Sequence, residues 1–293
     1  HSLQKNLNDT IEQRITTEIQ QYKSIILDQI DANLKSLNTL ASYIEQMDFE
    51  DEEDFARRID EANKSTDFIS MIFIGRDGLN ILSTLGKKVQ IGFDQEQVSE
   101  EVSQLIDKNF QGEQGVSQMY PSQVVEADVF VYGVPVYDDQ DQIIGSLLAS
   151  DNIDLFFRPL SDPNVLNGAG ILHLLSGDGT FLIRSPQSVV REEMDSIFDG
   201  PYWKGDEKEE AQVALKNQQS FFSSYEYDGN TYQFLLEPIG INGWYLFCQN
   251  TPQSLSGEIY SMVRFMQLIF FIVLLVFASL MFYGYRSVRR HNR

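Results

Sequence analysis

Only one cysteine, Cys248, occurs among the 293 residues, so no intramolecular disulfide can form and any fold must rest on apolar burial. Cys248 lies in the strand-like run WYLFCQ and reads as a small core residue. There are three histidines, and neither Cys nor His lies near His173 in sequence. No metal-ligand spacing results, so no metal site is expected. Also missing are a G-x-S-x-G elbow, an H-E-x-x-H helix, a G-x-x-x-x-G-K-[ST] loop and any histidine close to the cysteine. The fragment is therefore expected to be neither an enzyme nor a cofactor carrier. Basic residues are scarce, 22 against 43 acidic ones, for a formal charge of -21. Such a surface repels nucleic acid, whose binding requires Lys and Arg to neutralise phosphates.

Apolar material is not scarce: 42% of residues are hydrophobic and 12% aromatic, enough for real cores. One stretch stands apart. Residues 265–285 are 21 in a row without a charge, which as a helix at ~1.5 Å per residue would cover the ~30 Å of bilayer hydrocarbon. Tyr283 and Tyr285 stand where an interfacial aromatic belt belongs, and Arg286, Arg289, Arg290 and Arg293 follow. Arginines on that side predict a cytoplasmic C-terminus and an acidic bulk outside the cell. An outside N-terminal domain needs its own way across, so an upstream span is expected just before residue 1.

The first 47 residues predict one long helix. Leu3, Leu7, Ile11, Ile15, Ile19, Ile26, Ile30, Leu34, Leu37, Ala41, Ile44 and Met47 form one stripe at helical spacing, broken only by the seven-residue step from Ile19 to Ile26. At roughly 70 Å such a helix is read as a stalk that becomes a domain's first helix. A short acidic helix over about residues 50–63 follows.

A repeat comes next. SMIFIGRDGLNILS (70–83) and ILHLLSGDGTFLIRS (171–185) each read as strand, Asp-Gly turn, strand. VFVYGVPVYDDQDQIIGSLLAS (129–150) and YQFLLEPIGINGWYLFC (232–248) match again, with Pro135 against Pro238. Two landmarks at nearly one offset predict two copies of one α+β unit with antiparallel sheets. DDQDQ (138–142) lacks the Gly and terminal Glu of a calcium loop and reads as a hairpin turn.

With these features the chain resembles a double Cache sensor domain, the extracellular input module of bacterial transmembrane receptors. VYGVPVYDDQDQIIGSLLASDNIDLF (131–156) resembles that family's P-V-Y-D strand pair, and GINGWYLF (240–247) its closing G-W-Y-L strand. The resemblance implies an α+β fold: a long N-terminal helix, two tandem PAS-like units, then one transmembrane helix. The corresponding boundaries are 1–47 for the stalk helix, 48–160 for the membrane-distal unit and 161–255 for the membrane-proximal unit. Residues 256–285 form the linker and span, and 286–293 the start of the cytoplasmic region. It also implies a cell-membrane receptor, a homodimer through the N-terminal and transmembrane helices, and an output domain beyond residue 293. The ending YRSVRRHNR resembles the basic linker that runs into a GGDEF diguanylate cyclase; histidine kinases carry such inputs too.

In the family the distal unit takes a small molecule between its sheet and the covering helices and loops. Asp151 matches the Asp at the end of the last strand, which in amino-acid-binding members contacts the ligand amine; a carboxylate at a pocket mouth pairs with ammonium. Those members also place Arg, Trp and Tyr before the middle strand. Here QGEQGVSQMYPSQVVEADVF (111–130) offers Tyr120 but no Arg and no Trp. A cationic or neutral ligand, or none, is therefore expected. Side chains alternate along 129–137, so Asp128, Phe130, Tyr132 and Val134 share one face. If that face is the pocket face, Tyr132 and Asp128 join Asp151 and Tyr120 in a polar-aromatic cluster. If it is the other, Tyr132 is packing. An ectodomain that binds protein partners and no small ligand is the alternative reading.

Overall fold

The computed structural model describes residues 2–45, 51–94, 98–153, 158–186, 194–200, 203–227, 230–250, 265, 267–273 and 276. Helix α1 is Ser2–Glu45. Its predicted stripe is buried at Ile11, Ile15, Ile19, Ile26, Ile30, Leu37, Ala41 and Ile44. Tyr22 fills the seven-residue gap: its ring is buried and its hydroxyl donates to Asp162 Oδ2 at 2.9 Å. From Ile11 onward the helix is therefore a packed wall.

α2 (Glu52–Lys64) starts where Asp51 caps it by accepting from the Asp54 amide, and three acidic residues in its first turn suit the helix dipole. It buries Phe55, Ala56 and Ile59. The first sheet contains β1 (Ser70–Gly75), β2 (Asn80–Thr84), β3 (Gln90–Ile91), β4 (Gly115–Val116), β5 (Tyr120–Ser122), β6 (Ala127–Tyr137) and β7 (Ile143–Asn152), with α3 (Glu100–Phe110) between β3 and β4. The second contains β8 (Gly170–Leu175), β9 (Phe181–Ile183), β10 (Phe221–Tyr227), β11 (Asn230–Pro238) and β12 (Tyr245–Asn250), with α4 (Glu207–Lys216) before β10. All pairings are antiparallel.

The strand orders reveal the repeat. The first sheet runs β3-β2-β1-β7-β6-β4, with β5 also on β6, and the second runs β10-β11-β12-β8-β9. The order β2-β1-β7-β6 is that of β9-β8-β12-β11. The turns agree in their backbone bonds, Gly75 with Leu79 and Ser176 with Thr180, and in the Asp that follows. Gly78 and Gly179 both take positive φ, 93° and 88°. Asp77 accepts from the Leu79 amide and Asp178 from the Thr180 amide, each at 3.0 Å. Only the glycine takes the left-handed step without Cβ strain.

Both faces of each sheet are covered, which is why the strands read as apolar runs rather than strict alternation. In the first, Met71, Phe73, Tyr132, Val134 and Leu147 face α1 and α2, while Ile72, Ile74, Val131 and Leu148 face α3. In the second, Leu172, Leu235, Leu246 and Cys248 join the core under α1, and Phe234, Leu236, Tyr245 and Phe247 form a separate cluster on the far side. Cys248 is a buried core thiol whose pKa burial pushes up.

α3 approaches the first sheet at Gly133, where a Cβ would meet Asn109 Nδ2 at 2.5 Å and Leu105 Cγ at 2.9 Å. A Gly→Ala change without strain stabilises by about 0.4–1 kcal/mol. Here overpacking reverses the sign, and Gly133→Ala is expected to destabilise by about 1–3 kcal/mol in a denaturant titration. A gain in stability would mean that α3 is free to move off the sheet.

Among the described residues no helix is long and apolar enough to cross a membrane. The predicted span lies largely outside them. Its described positions, 265, 267–273 and 276, are helical. All but Gln267 carry exposed apolar side chains, among them Phe270 and Phe271 at 68% and 66% exposure.

Candidate functional site

Asp151 ends β7 and Tyr132 lies within β6. The register sets Phe130 opposite Asp151 and Tyr132 opposite Ala149, so these side chains share the face turned to α1. Tyr132 is wholly buried and Asp151 is 5% exposed. α1 supplies Asn33, whose Nδ2 donates to Asp151 Oδ2 at 3.1 Å. The Tyr132 hydroxyl makes no hydrogen bond of good geometry. Burial, opposed by the neighbouring Asn33 and reinforced by the Asp151 charge, pushes its pKa up and keeps the phenol neutral.

Tyr132 and Asp151 therefore meet, but beneath α1 rather than at an open mouth. The other two candidates lie elsewhere. Tyr120 pairs with Val129, and both belong to the α3 side of the sheet. It is half-buried there, and burial raises its pKa. Asp128, opposite Pro121 at the start of β6, is exposed. The expected four-residue cluster is thus split by the sheet itself: β5 joins β6 in a register that turns Tyr120 away from Tyr132. Asn33 was not foreseen. It sits on α1 beside the apolar stripe, and no local signal marks it.

The second feature lies between the units. Asn242-Gly243 is the β11–β12 turn, with φ of 53° and 72°. Its tip reaches the first unit: Asn242 Nδ2 donates to the carbonyls of Val116 and Ser117 at 2.9 and 3.0 Å. Gln118 Nε2 returns a bond to the Asn242 carbonyl at 2.9 Å. Next to the turn, the Trp244 indole donates to Gln118 Oε1 at 2.6 Å and its ring meets Phe130 at 5.0 Å. Phe130 in turn neighbours Asp151 across the strand pair. α1 bonds to both units as well, through Lys23 to Glu237 at 3.1 Å and through Asn33 to Asp151. The surroundings of Asp151 are thus joined to the second unit both through Phe130 and Trp244 and through α1.

DDQDQ closes as a turn, with Asp138 Oδ1 accepting from the amides of Gln140 and Gln142, both at 2.9 Å. Among the described residues no group of His, Cys, Asp and Glu is placed to hold a metal.

This two-sheet arrangement on one long helix occurs in solved proteins. The sensory domain of the Campylobacter jejuni chemoreceptor Tlp3 (CcmL) superposes with a TM-score of 0.65 at 12% identity, covering 85% of this chain and 96% of its own. The fold is that of a double Cache sensory domain. The ligand-binding domain of Mlp24, solved with asparagine, gives 0.58 at 16% identity, covering 88% of this chain and 99% of that one. The ligand-binding domain of the Pseudomonas aeruginosa PAO1 amino acid chemoreceptor PctB, in complex with L-Arg, gives 0.56 at 15% identity, covering 86% and 97%. At the level of sequence, no family model and no curated protein matches. The architecture is thus shared at 12% to 16% identity.

Proposed function

We propose that this chain is the extracellular ligand-sensing input module of a membrane-bound signal-transduction receptor. The observation that carries this reading is the likeness to chemoreceptor sensory domains over 85% to 88% of the chain. The exposed apolar side chains on the helical residues 265, 268–273 and 276 support the membrane part. Large aromatic rings left in water forfeit about 25 cal/mol for each Å², and a bilayer removes that penalty. Residues 265–285 then form the span, and a homodimer through α1 and that span carries the change inward. The output domain is a GGDEF diguanylate cyclase in the first reading and a histidine kinase in the second.

The proposed ligand is a small cationic or neutral molecule held by the first unit through Asp151 and Tyr132. Both are closed beneath α1, so occupancy requires α1 to lift from the sheet. That movement would be the signal, since α1 also bonds the second unit. Ligand shifts such an equilibrium only by its preference for the lifted state. The closed state of Asp151 and Tyr132 also favours a second reading, in which they only pin α1 and the ectodomain binds protein partners.

A thermal-shift screen of the whole chain against amines, amino acids, nucleobases, short carboxylates and sugars separates these readings. Sensing predicts a cationic or neutral compound that raises the melting temperature, by about 2.7 kcal/mol of stabilisation at a hundredfold excess over Kd. Asp151→Asn keeps the size and the contact to Asn33 but removes the charge, and should abolish the effect. Silence across all classes would reject the small-ligand reading in favour of the partner-binding one.

A further inference from the structure

The face of the second sheet turned away from α1 holds a cavity of about 40 Å³. Phe234, Phe247 and Gln249 are buried at its floor, and Phe181, Trp203 and Tyr225 stand half-buried around it. The rings brace one another: Trp203 meets Phe234 edge-on at 5.7 Å, and Phe234 meets Phe247 at 5.6 Å. The polar lining comes from Ser224, Tyr225, Gln249 and Glu207, with Ser224 half-buried. Gln249 is wholly buried; its Nε2 donates to the Tyr225 hydroxyl, and its Oε1 has no partner. Glu207, in the first turn of α4, adds a half-buried carboxylate. Among the described residues no Lys, Arg or His lines the cavity.

A buried carbonyl oxygen without a donor is an unmet demand, because the group has lost its water and gained nothing. Aromatic faces attract cations through their quadrupole. One ring of this box already does so: the Arg184 guanidinium lies 4.2 Å from the Phe181 centroid. Acceptors, a carboxylate and π faces together select a positively charged donor with an apolar skin. The volume limits its size. One water needs about 10–15 Å³ of such water-accessible space, so the cavity has room for a few heavy atoms, enough for an alkylated ammonium head with the rest of the molecule outside.

We propose that this cavity is a second ligand site, in the membrane-proximal unit, for the alkylammonium head of a small organic cation. It does not depend on the ligand proposed for the first unit. A site here would act one step nearer the membrane, without passing through the contact between the units.

The test uses the whole chain in a maltoside detergent, which has no cationic head, and trimethylammonium chloride as the probe. Trp203 borders the cavity, and the other tryptophan, Trp244, is wholly buried between the units. Indole emission should change saturably with trimethylammonium and not with tert-butanol, its neutral counterpart in shape, or with sodium chloride at equal ionic strength. Glu207→Gln and Gln249→Leu should each weaken the apparent affinity at least tenfold. Glu207→Gln lies at a half-buried helix end and carries the test if Gln249→Leu does not fold. Absence of a saturable change, an equal response to tert-butanol, or unaltered affinity in Glu207→Gln would each overturn the proposal.

Discussion

Trp244→Ala is expected to lower the melting temperature by roughly 6–20 °C. Removing a fully buried tryptophan costs about 3–5 kcal/mol, and in a protein of this size each kcal/mol moves the midpoint by about 2–4 °C. Trp244 belongs at the upper end. It is wholly buried, its ring packs on Phe130 of the other unit, and its indole holds Gln118. Truncation therefore opens a cavity and removes the indole bond to Gln118 at the same time. Trp203, half-buried at the rim of its sheet, should lose much less when changed to Ala. Calorimetry adds a second readout. With the contact between the units weakened, one cooperative transition should split into two, one for each sheet. A single transition shifted by less than 3 °C would mean that α1 alone holds the units together.

That contact bears on what the sequence revealed. The tandem units, the hairpins and the long helix were all legible, because each rests on local chemistry: Asp-Gly and Asn-Gly turns, Pro135 and Pro238 at matching points, and an apolar stripe. Asn242-Gly243 could be read as a turn, but not as a fingertip bonded to Val116 and Ser117. That partnership spans 126 and 125 positions and leaves no local trace. The site was legible only in part for the same reason. Strand alternation set Tyr132 and Phe130 on one face, and the match at the end of β7 added Asp151. It could not decide which face α1 would cover, nor that β5 would carry Tyr120 to the opposite one. The aromatic cavity of the second unit is assembled from β9, α4, β10, β11 and β12 with the segments between them, so no single stretch announces it.

The second large effect is a loss of stability in acid that traces to one side chain. His173 is wholly buried, stacked on Phe247 at 5.6 Å and edge-on to Phe181 at 5.3 Å. Its Nδ1 accepts the Ser185 amide at 3.2 Å, so the ring proton sits on Nε2, which has no partner. A second proton would have to enter at Nδ1, where it would face the Ser185 N–H head-on. Burial first, then the Arg184 charge, lowers the pKa to about 3. In the unfolded chain the same ring titrates near its ordinary ~6.5. Between those values the unfolded state binds a proton that the native state refuses. This contribution is therefore intact above pH ~6.5 and is lost as the pH falls towards about 3, at up to ~1.4 kcal/mol per pH unit. Carboxylates titrate over part of the same window, but they do so equally in His173→Phe, which keeps the stacking and cannot take a proton. The difference between the two proteins isolates the ring. From pH 6.5 down to 4.5, denaturant titrations should show wild type losing about 2–3 kcal/mol more than His173→Phe. Parallel acid curves would mean that the native ring takes up its proton after all, and that β8 opens enough to let water reach Nδ1.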